Sequence, residues 1–264
     1  MSRYYDGYGL DSTVTLLRIA YGLDNWREVV KLGESLYEES LRIYNLQMLT
    51  KEQDIVEIHT QRTIVYYIGY SRLMQGIAFQ KLLEFDKARE CVLQYSDFQW
   101  IKLTNQETLN EIEFYSDIAK INLMVLDLLE GNTTKLDEYV AYIQKSKGEI
   151  MSGLLTLLEA NRLNNLPIKK FEYLFEEHRL ISDTTIMSDI DISYYLKFSF
   201  ELAMYYTRND NDSDAIDILL NCLAISPKIN HNKIKYVALF EKIRDKATHA
   251  QNSCYKSILE GMLS

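Results

Sequence analysis

The residues whose types most suggest chemistry are three aspartates at alternate positions, Asp210, Asp212 and Asp214. Carboxylates at alternate positions begin the calcium-binding loop of EF-hands, in which the sixth residue is Gly and the twelfth is Glu. Here the sixth position is Ala215 and the twelfth is Asn221. The sharp turn and the bidentate ligand would both be missing, so we interpret the aspartates as a polar loop between two helices.

Histidines and cysteines offer no other metal-binding or catalytic arrangement. No two histidines are four residues apart, which is the spacing that brings two imidazoles onto one helical face. The cysteines form no C-x-x-C pair, and the sequence has no phosphate-binding glycine loop and no G-x-S-x-G. These residues are His59, His178, His231, His249, Cys91, Cys222 and Cys254. We predict no metal, no cofactor, no catalytic residue and no enzymatic activity, with Cys91 and Cys222 as small core residues.

The elements that carry these residues are predicted to be helices. Only 2 Pro and 10 Gly occur in 264 residues, so few residues can end a helix. Apolar residues recur with the 3.6-residue period of a helix. The pattern predicts an all-α fold with helices near 11–23, 26–46, 51–68, 70–83, 86–96, 105–130, 134–146, 149–163, 168–180, 189–208, 212–224 and 231–262, the last with a break near 250. No linker is recognisable, so we predict that residues 1–264 form one domain.

Charge and cysteine content limit the partners and the location. The net charge is −9 at pH 7, whereas nucleic-acid binding draws much of its affinity from neutralised phosphates. No apolar run approaches the roughly 20 residues that span a bilayer, and the polar, aromatic residues 1–10 do not form a signal peptide. Cysteines without a disulfide pattern suit a reducing compartment. We predict no direct nucleic-acid contact, no membrane contact and a cytoplasmic location.

Small residues recur at a spacing that suits paired helices. Ala203 and Ala215 lie twelve residues apart, as do Gly76 and Ala88. This spacing is similar to that of the tetratricopeptide repeat, a helical hairpin of about 34 residues with small side chains at positions 8 and 20. The other matches are Tyr206, Leu219, Cys222 and Pro227 in one stretch, Phe79, Val92 and Tyr95 in another, and a weaker set of Leu17, Ala20, Trp26, Val29 and Leu36.

Such hairpins bury their apolar faces only when they stack, and stacking produces a superhelix with a concave surface. We therefore predict tandem TPR-like hairpins in a right-handed superhelix. An irregular helical bundle with accidental matches is the alternative.

The concave surface is the predicted ligand-binding site, and positions 2, 5, 9, 12 and 13 of each first helix face it. Tyrosine suits such a surface because it combines contact area with a hydroxyl. The sequence has 20 tyrosines, for which core packing in the repeats is the more general interpretation and a place in the groove is the functional one. Asn122 is predicted to hold a peptide backbone through its amide. The predicted ligand-binding residues are Tyr67, Tyr70, Ile77, Gln80, Asn122, Lys197, Phe200, Met204 and Arg208.

Segments 32–40, 66–76 and 88–91, with Tyr95 and Trp100, suggest a narrower family. They resemble the TPR-like C-terminal sensor domain of helix-turn-helix transcriptional regulators of Bacillus-type bacteria. That family is similar to the regulators that respond to peptide pheromones. The resemblance covers roughly residues 10–180. In those regulators a helix-turn-helix domain comes first, whereas this chain begins almost directly with a repeat helix, so we expect no DNA-binding domain within it.

The resemblance implies a ligand-sensing and dimerisation domain that takes a peptide or protein into its groove and forms a homodimer. The alternative is a stand-alone adaptor that binds another protein through the same groove. Helices after His231 are predicted either to cap the superhelix or to form the dimer contact. Their apolar face comprises Tyr236, Val237, Leu239, Phe240 and Ile243.

Overall fold

In the computed structural model, the described residues are 8–49, 60–146, 148–180, 187–225 and 233–263. Within these ranges the chain forms twelve α-helices and no β-strand, so the predicted all-α class is confirmed. The helices are α1 (Tyr8–Gly22), α2 (Trp26–Leu49), α3 (Ile64–Lys81), α4 (Phe85–Ser96), α5 (Gln106–Leu129), α6 (Leu136–Lys145), α7 (Ile150–Asn164), α8 (Glu172–His178), α9 (Asp189–Arg208), α10 (Asp212–Ile225), α11 (Ile234–Ile243) and α12 (His249–Leu263).

Most helix boundaries lie within a few residues of the predicted ones, but the predicted break near residue 69 is wrong. Helix α3 runs without interruption through Gly69. This glycine serves packing, because a Cβ at Gly69 would lie 2.3 Å from Cε2 of Tyr115. Two predictions lie outside the described residues. They are the part of a predicted helix over residues 51–59 and the end of a helix at Pro227.

The chain divides into two compact units, residues 1–126 and 127–264. The boundary falls within α5. A search of the sequence for linkers looks for loops, so it does not detect a boundary inside a helix. In the first unit α1 packs against α2, α2 against α3, and α3 against α4. In the second unit α6 packs against α7, α7 against α9, α9 against α10, and α10 against both α11 and α12.

Three of the helical pairs are joined by the same three-residue turn. In each turn the backbone N–H of the third residue donates to a carbonyl five residues earlier, as in the Schellman motif that ends many helices. These hydrogen bonds run from Asn25 to Ala20, from Glu84 to Phe79 and from Asn211 to Tyr206, each at 2.9 Å. The central residues Asp24, Leu83 and Asp210 have φ of 53°, 61° and 59°. Because the turns are equivalent, residues counted from the turn correspond to one another in the pairs α1–α2, α3–α4 and α9–α10.

Leu83 is the least suitable of the three central residues, because Asp tolerates a left-handed backbone better than Leu does. Its side chain is exposed, so little packing is lost on its removal. We expect Leu83→Gly to raise the free energy of unfolding by about 1 kcal/mol, measured by urea denaturation. Leu93→Gly is the matched control, since Leu93 is equally exposed inside α4. This variant should lower the free energy of unfolding by about 1 kcal/mol, because glycine has a low helix propensity. Equal losses in both variants would contradict strain at Leu83.

The small residues predicted to let hairpin helices approach are buried. Ala88, Ala203 and Ala215 are fully buried. A Cβ at Gly76 would lie 3.4 Å from the Cβ of Cys91, across the contact between α3 and α4. The burial of these positions agrees with the repeat pattern, and the close approach is seen between α3 and α4.

Candidate ligand-binding site

The shared turn identifies equivalent positions on α1 and α3. Counting back from the carbonyl acceptors Ala20 and Phe79, positions 2, 5 and 9 of each first helix can be assigned. They are Asp11, Val14 and Arg18 in α1, and Tyr70, Leu73 and Ile77 in α3. Residues three or four apart share one face of a helix. Helix α1 thus carries a counterpart of the predicted binding face of α3.

This face of α1 borders a cleft of about 370 Å³ in the first unit. Most of the side chains around the cleft are polar. The lining residues are Asp11, Ser12, Val14, Thr15 and Arg18 from α1, Gln61 and Arg62 from the segment before α3, and Tyr66 from the first turn of α3. The cleft therefore lies where α1 meets the beginning of α3.

Two stacked tyrosines form the aromatic part of the site. The rings of Tyr66 and Tyr70 lie 5.3 Å apart and are within 12° of parallel, because residues four apart on a helix project from the same face. The guanidinium carbon of Arg62 lies 4.4 Å from the centre of the Tyr66 ring. That of Arg18 lies 5.8 Å from the centre of the Tyr70 ring, and its Nη2 donates to the Tyr66 hydroxyl at 3.2 Å. Two cations thus border the aromatic pair.

The ionic groups of the cleft differ in how they are paired. Arg62 forms an ion pair with Glu111, a carboxylate whose side chain is only 8% exposed. Asp11 accepts hydrogen bonds from the Tyr67 hydroxyl and from the backbone N–H of Gln61.

Arg18 contacts no carboxylate in the part of the chain that the structure describes. Among the described residues its contacts are with tyrosines. Tyr70 makes the largest contribution to raising the pKa of Arg18 above its usual value. Arg18 is therefore a permanent cation on the open side of α1, where its side chain is exposed.

The predicted site residues of the first unit occupy different environments. Tyr70 belongs to the aromatic pair, and Ile77 and Gln80 lie half-buried farther along α3. Tyr67 is fully buried, so its ring has no surface for a ligand to contact. Asn122 donates to the Tyr95 hydroxyl at 2.7 Å. Ligand binding by Tyr70, Ile77, Gln80 and Asn122 stays a prediction.

The remaining predicted residues lie on α9 in the second unit. The Phe200 ring packs edge-to-face on Tyr236, 5.6 Å between centres, and Lys197 and Met204 are half-buried. Arg208 is exposed and borders a separate cleft of about 530 Å³, which also includes Asn161 and Tyr205. Its guanidinium donates weakly to Oδ1 of Asn161 at 3.4 Å.

The C-terminal apolar face predicted to serve either as a cap or as a dimer contact is largely internal to the second unit. Tyr236, Leu239, Phe240 and Ile243 are buried there, and the Tyr236 hydroxyl donates to the carbonyl of Leu196 in α9. These side chains stabilise the second unit itself, so their surfaces are not available to a partner.

The three aspartates lie in and after the turn between α9 and α10. Asp212 and Asp214 belong to the first turn of α10, and Asp214 is paired with Arg179 at 2.6 Å. In the part of the chain that the structure describes, no group of three or more His, Cys, Asp or Glu is arranged to hold a metal ion.

The two cysteines predicted to be core residues are buried. Burial raises the pKa of Cys91 to about 11 and that of Cys222 to about 12. Both thiols are therefore protonated at neutral pH and are weak nucleophiles.

Comparison with known proteins adds no further assignment. No protein-family model matches the chain, and no curated protein or solved structure matches it either. None of the helices in the described ranges is long and apolar enough to cross a membrane.

Sequence reasoning missed Arg18, Asp11 and Arg62. Arg18 and Asp11 could have been found from the turns, because Asp24-Asn25 and Asp210-Asn211 are the same dipeptide. Aligning these pairs places Arg18 opposite Met204 and Asp11 opposite Lys197 in the repeat. Arg62 precedes α3 and lies outside the repeat pattern, so no sequence signal predicted its position.

Proposed function

We propose that the chain is a non-catalytic helical-repeat module that binds a peptide, and that it is the ligand-sensing and self-association domain of a transcriptional regulator. The observation that carries this proposal is the cleft of the first unit, which is bordered by the positions of α1 that correspond to the predicted binding positions of α3. Tyr66 in its lining, with Tyr70 stacked beside it, offers apolar contact area, and its hydroxyls and guanidiniums offer hydrogen bonds. A peptide requires both kinds of contact.

The three equivalent turns support the further proposal that the hairpins stack in a right-handed, TPR-like superhelix. In such an array each hairpin contacts its neighbours alone, so small changes at each contact accumulate along it. A peptide that binds one curvature more tightly than another would shift the population toward that curvature. Coupling of this shift to a dimer contact would transmit the signal to DNA-binding domains.

Native mass spectrometry tests this proposal on protein purified gently from cells of its own host. We expect a dimer that carries additional mass of peptide size. Denaturation should release the bound peptide, which can then be sequenced. A bare monomer would contradict the sensor function. A stoichiometric complex with a second folded protein would instead establish the stand-alone adaptor, our second candidate.

A pair of variants links the bound mass to the cleft. Thr15→Trp fills the cleft from an exposed position in its lining and should abolish the additional mass. Leu16→Trp is the matched control, because Leu16 is 51% exposed and does not belong to the lining. Loss of the ligand in both variants, or in neither, would place the binding site elsewhere.

A further inference from the structure

We infer that the cleft of the first unit recognises a carboxylate and that Arg18 is the residue that binds it. This inference deepens the proposed function, since it specifies the chemistry of a ligand in the same cleft. It is carried by the contacts of Arg18, by the pairing of the other charged groups, and by the aromatic surface beside the guanidinium.

The guanidinium of Arg18 has hydrogen-bonding capacity that the described residues do not use. An arginine side chain has five N–H donors and no acceptor. One of them reaches the Tyr66 hydroxyl at 3.2 Å, hydrogen bonding with Tyr70 also raises the pKa of Arg18, and no described carboxylate contacts the group. A planar guanidinium matches a carboxylate in geometry and forms two parallel hydrogen bonds with it. Tyr66 holds one edge of the guanidinium and so orients the donors that remain.

The charges around Arg18 favour a ligand with one negative charge over a dianion. The other cation, Arg62, is paired with Glu111. The other anion, Asp11, is held by Tyr67 and Gln61 and would repel additional negative charge. Arg18, Arg62, Glu111 and Asp11 together carry no net charge. Of the two arginines, Arg18 is the one without an acidic partner among the described residues. A single carboxylate complements this arrangement, whereas a phosphate dianion would lack a second free cation.

A peptide can supply this carboxylate from its C-terminus or from an Asp or Glu side chain. The chemistry at Arg18 is the same in both cases. The stacked rings of Tyr66 and Tyr70 would contact the residue that carries the carboxylate, since aromatic rings provide apolar area beside a polar group.

The first test uses small probes and nuclear magnetic resonance. The ¹⁵N-labelled protein is titrated with N-acetylglycine, with N-acetyl-aspartate amide and with the neutral N-acetylglycinamide. We expect the side-chain Nε–H signal of Arg18, assigned from an Arg18→Lys variant, to shift in a saturable manner with the two carboxylates and to remain unchanged with the neutral amide. The carboxylate that saturates at the lower concentration identifies the source. Equal responses to all three probes, or no response, would overturn the inference.

The second test measures the effect of Arg18 on peptide affinity. Hexapeptides without acidic side chains are compared as free acids and as C-terminal amides, together with amidated peptides that contain one Glu, by affinity selection and mass spectrometry. We expect Arg18→Ala to weaken the carboxylate-bearing peptides by about 10- to 100-fold, the range for a hydrogen bond to a charged group. The affinity of Arg18→Lys for these peptides should lie between those of the wild type and Arg18→Ala. Arg42→Ala is the control, because Arg42 is exposed and paired with Glu39.

The two tests separate this inference from the proposed function. Peptides that bind with equal affinity as acids and amides, in both the wild type and Arg18→Ala, would overturn carboxylate recognition while leaving peptide binding intact. A saturable Arg18 response to N-acetylglycine without binding of any hexapeptide would support the carboxylate site and contradict the peptide-sensing function.

Discussion

Replacing Gly69 by alanine is expected to lower the free energy of unfolding by about 2 kcal/mol, the cost of forcing a methyl group into a packed core. The new Cβ would meet three ring atoms of Tyr115, the nearest at 2.3 Å. The Tyr115 ring cannot easily move away. It is 1% exposed, packs on Tyr95 and Phe98, and its hydroxyl donates to the Tyr66 carbonyl at 3.0 Å. Displacing Tyr115 would disturb these contacts together with the backbone beneath the cleft.

Gly76→Ala is the matched control on the same helix. A Cβ at Gly76 would lie 3.4 Å from its nearest neighbour, Cys91, so it fits as an ordinary contact. Alanine has a higher helix propensity than glycine by about 1 kcal/mol, so this variant should unfold at an equal or higher urea concentration.

A double variant separates the steric effect from helix propensity. Tyr115→Leu removes the ring that the new methyl group would meet, so Gly69→Ala should cost much less in that background. Urea denaturation of the four proteins gives the coupling free energy. If Gly69→Ala cost no more stability than Gly76→Ala, the close contact between Gly69 and the Tyr115 ring would be wrong.

Gly69 also shows why the sequence predicted the helical class better than the helix boundaries. Periodic apolar residues identify a helix wherever one of its faces packs on a core, whereas α3 is buried on most of its sides and its boundaries are harder to predict. A glycine is ambiguous within such a pattern, because it can end a helix or admit a close neighbour. The partner here, Tyr115, lies 46 positions farther along the chain (115 − 69), and a local pattern cannot identify it.

The tyrosine cluster of α3 illustrates the same difficulty for the site. Tyr66, Tyr67 and Tyr70 are neighbours in sequence, but only residues three or four apart share a helical face. Tyr66 and Tyr70 stack beside the cleft, whereas Tyr67 projects into the core. Tyr70 occupies position 2 of the repeat, whereas Tyr67 occupies none of the repeat positions that were predicted to face the groove, and it is buried. Arg18 was missed because the first hairpin has Leu17 where the repeat expects a small residue.

A second large effect is expected at the contact between α2 and α3, where Glu34→Ala should lower the free energy of unfolding by about 2 kcal/mol. Arg72 is 8% exposed, and Glu34 accepts hydrogen bonds from its Nη1 at 2.7 Å and its Nη2 at 3.2 Å. The guanidinium lies 3.4 Å from the centre of the Tyr37 ring, and Gln75 also donates to Glu34. Removing Glu34 leaves a buried cation without its anion, which costs more than a surface pair does.

Replacing Arg72 instead of Glu34 should lower the free energy of unfolding by less, because the two partners differ in exposure. The Glu34 side chain is 48% exposed and that of Arg72 is 10% exposed, so water can solvate Glu34 when Arg72 is replaced. We expect Arg72→Met, which retains the apolar part of the side chain, to cost about 1 kcal/mol. Lys31→Ala is the control, since its pair with Glu28 spans 3.7 Å at the surface and contributes little. Equal losses for Glu34→Ala and Arg72→Met would contradict the assignment of Arg72 as the group that depends on its partner.

The same pair predicts a dependence of stability on pH. Hydrogen bonding from Arg72 is the main cause that lowers the pKa of Glu34 below its usual 4.5. A carboxylate with a lowered pKa in the folded state stabilises the fold above its unfolded pKa, and this contribution disappears as the pH falls through the folded value. The wild type should therefore lose stability more steeply than Glu34→Gln between about pH 5 and pH 3, in urea denaturation at each pH. Parallel curves for the two proteins would show that the charge of Glu34 does not stabilise the contact between α2 and α3.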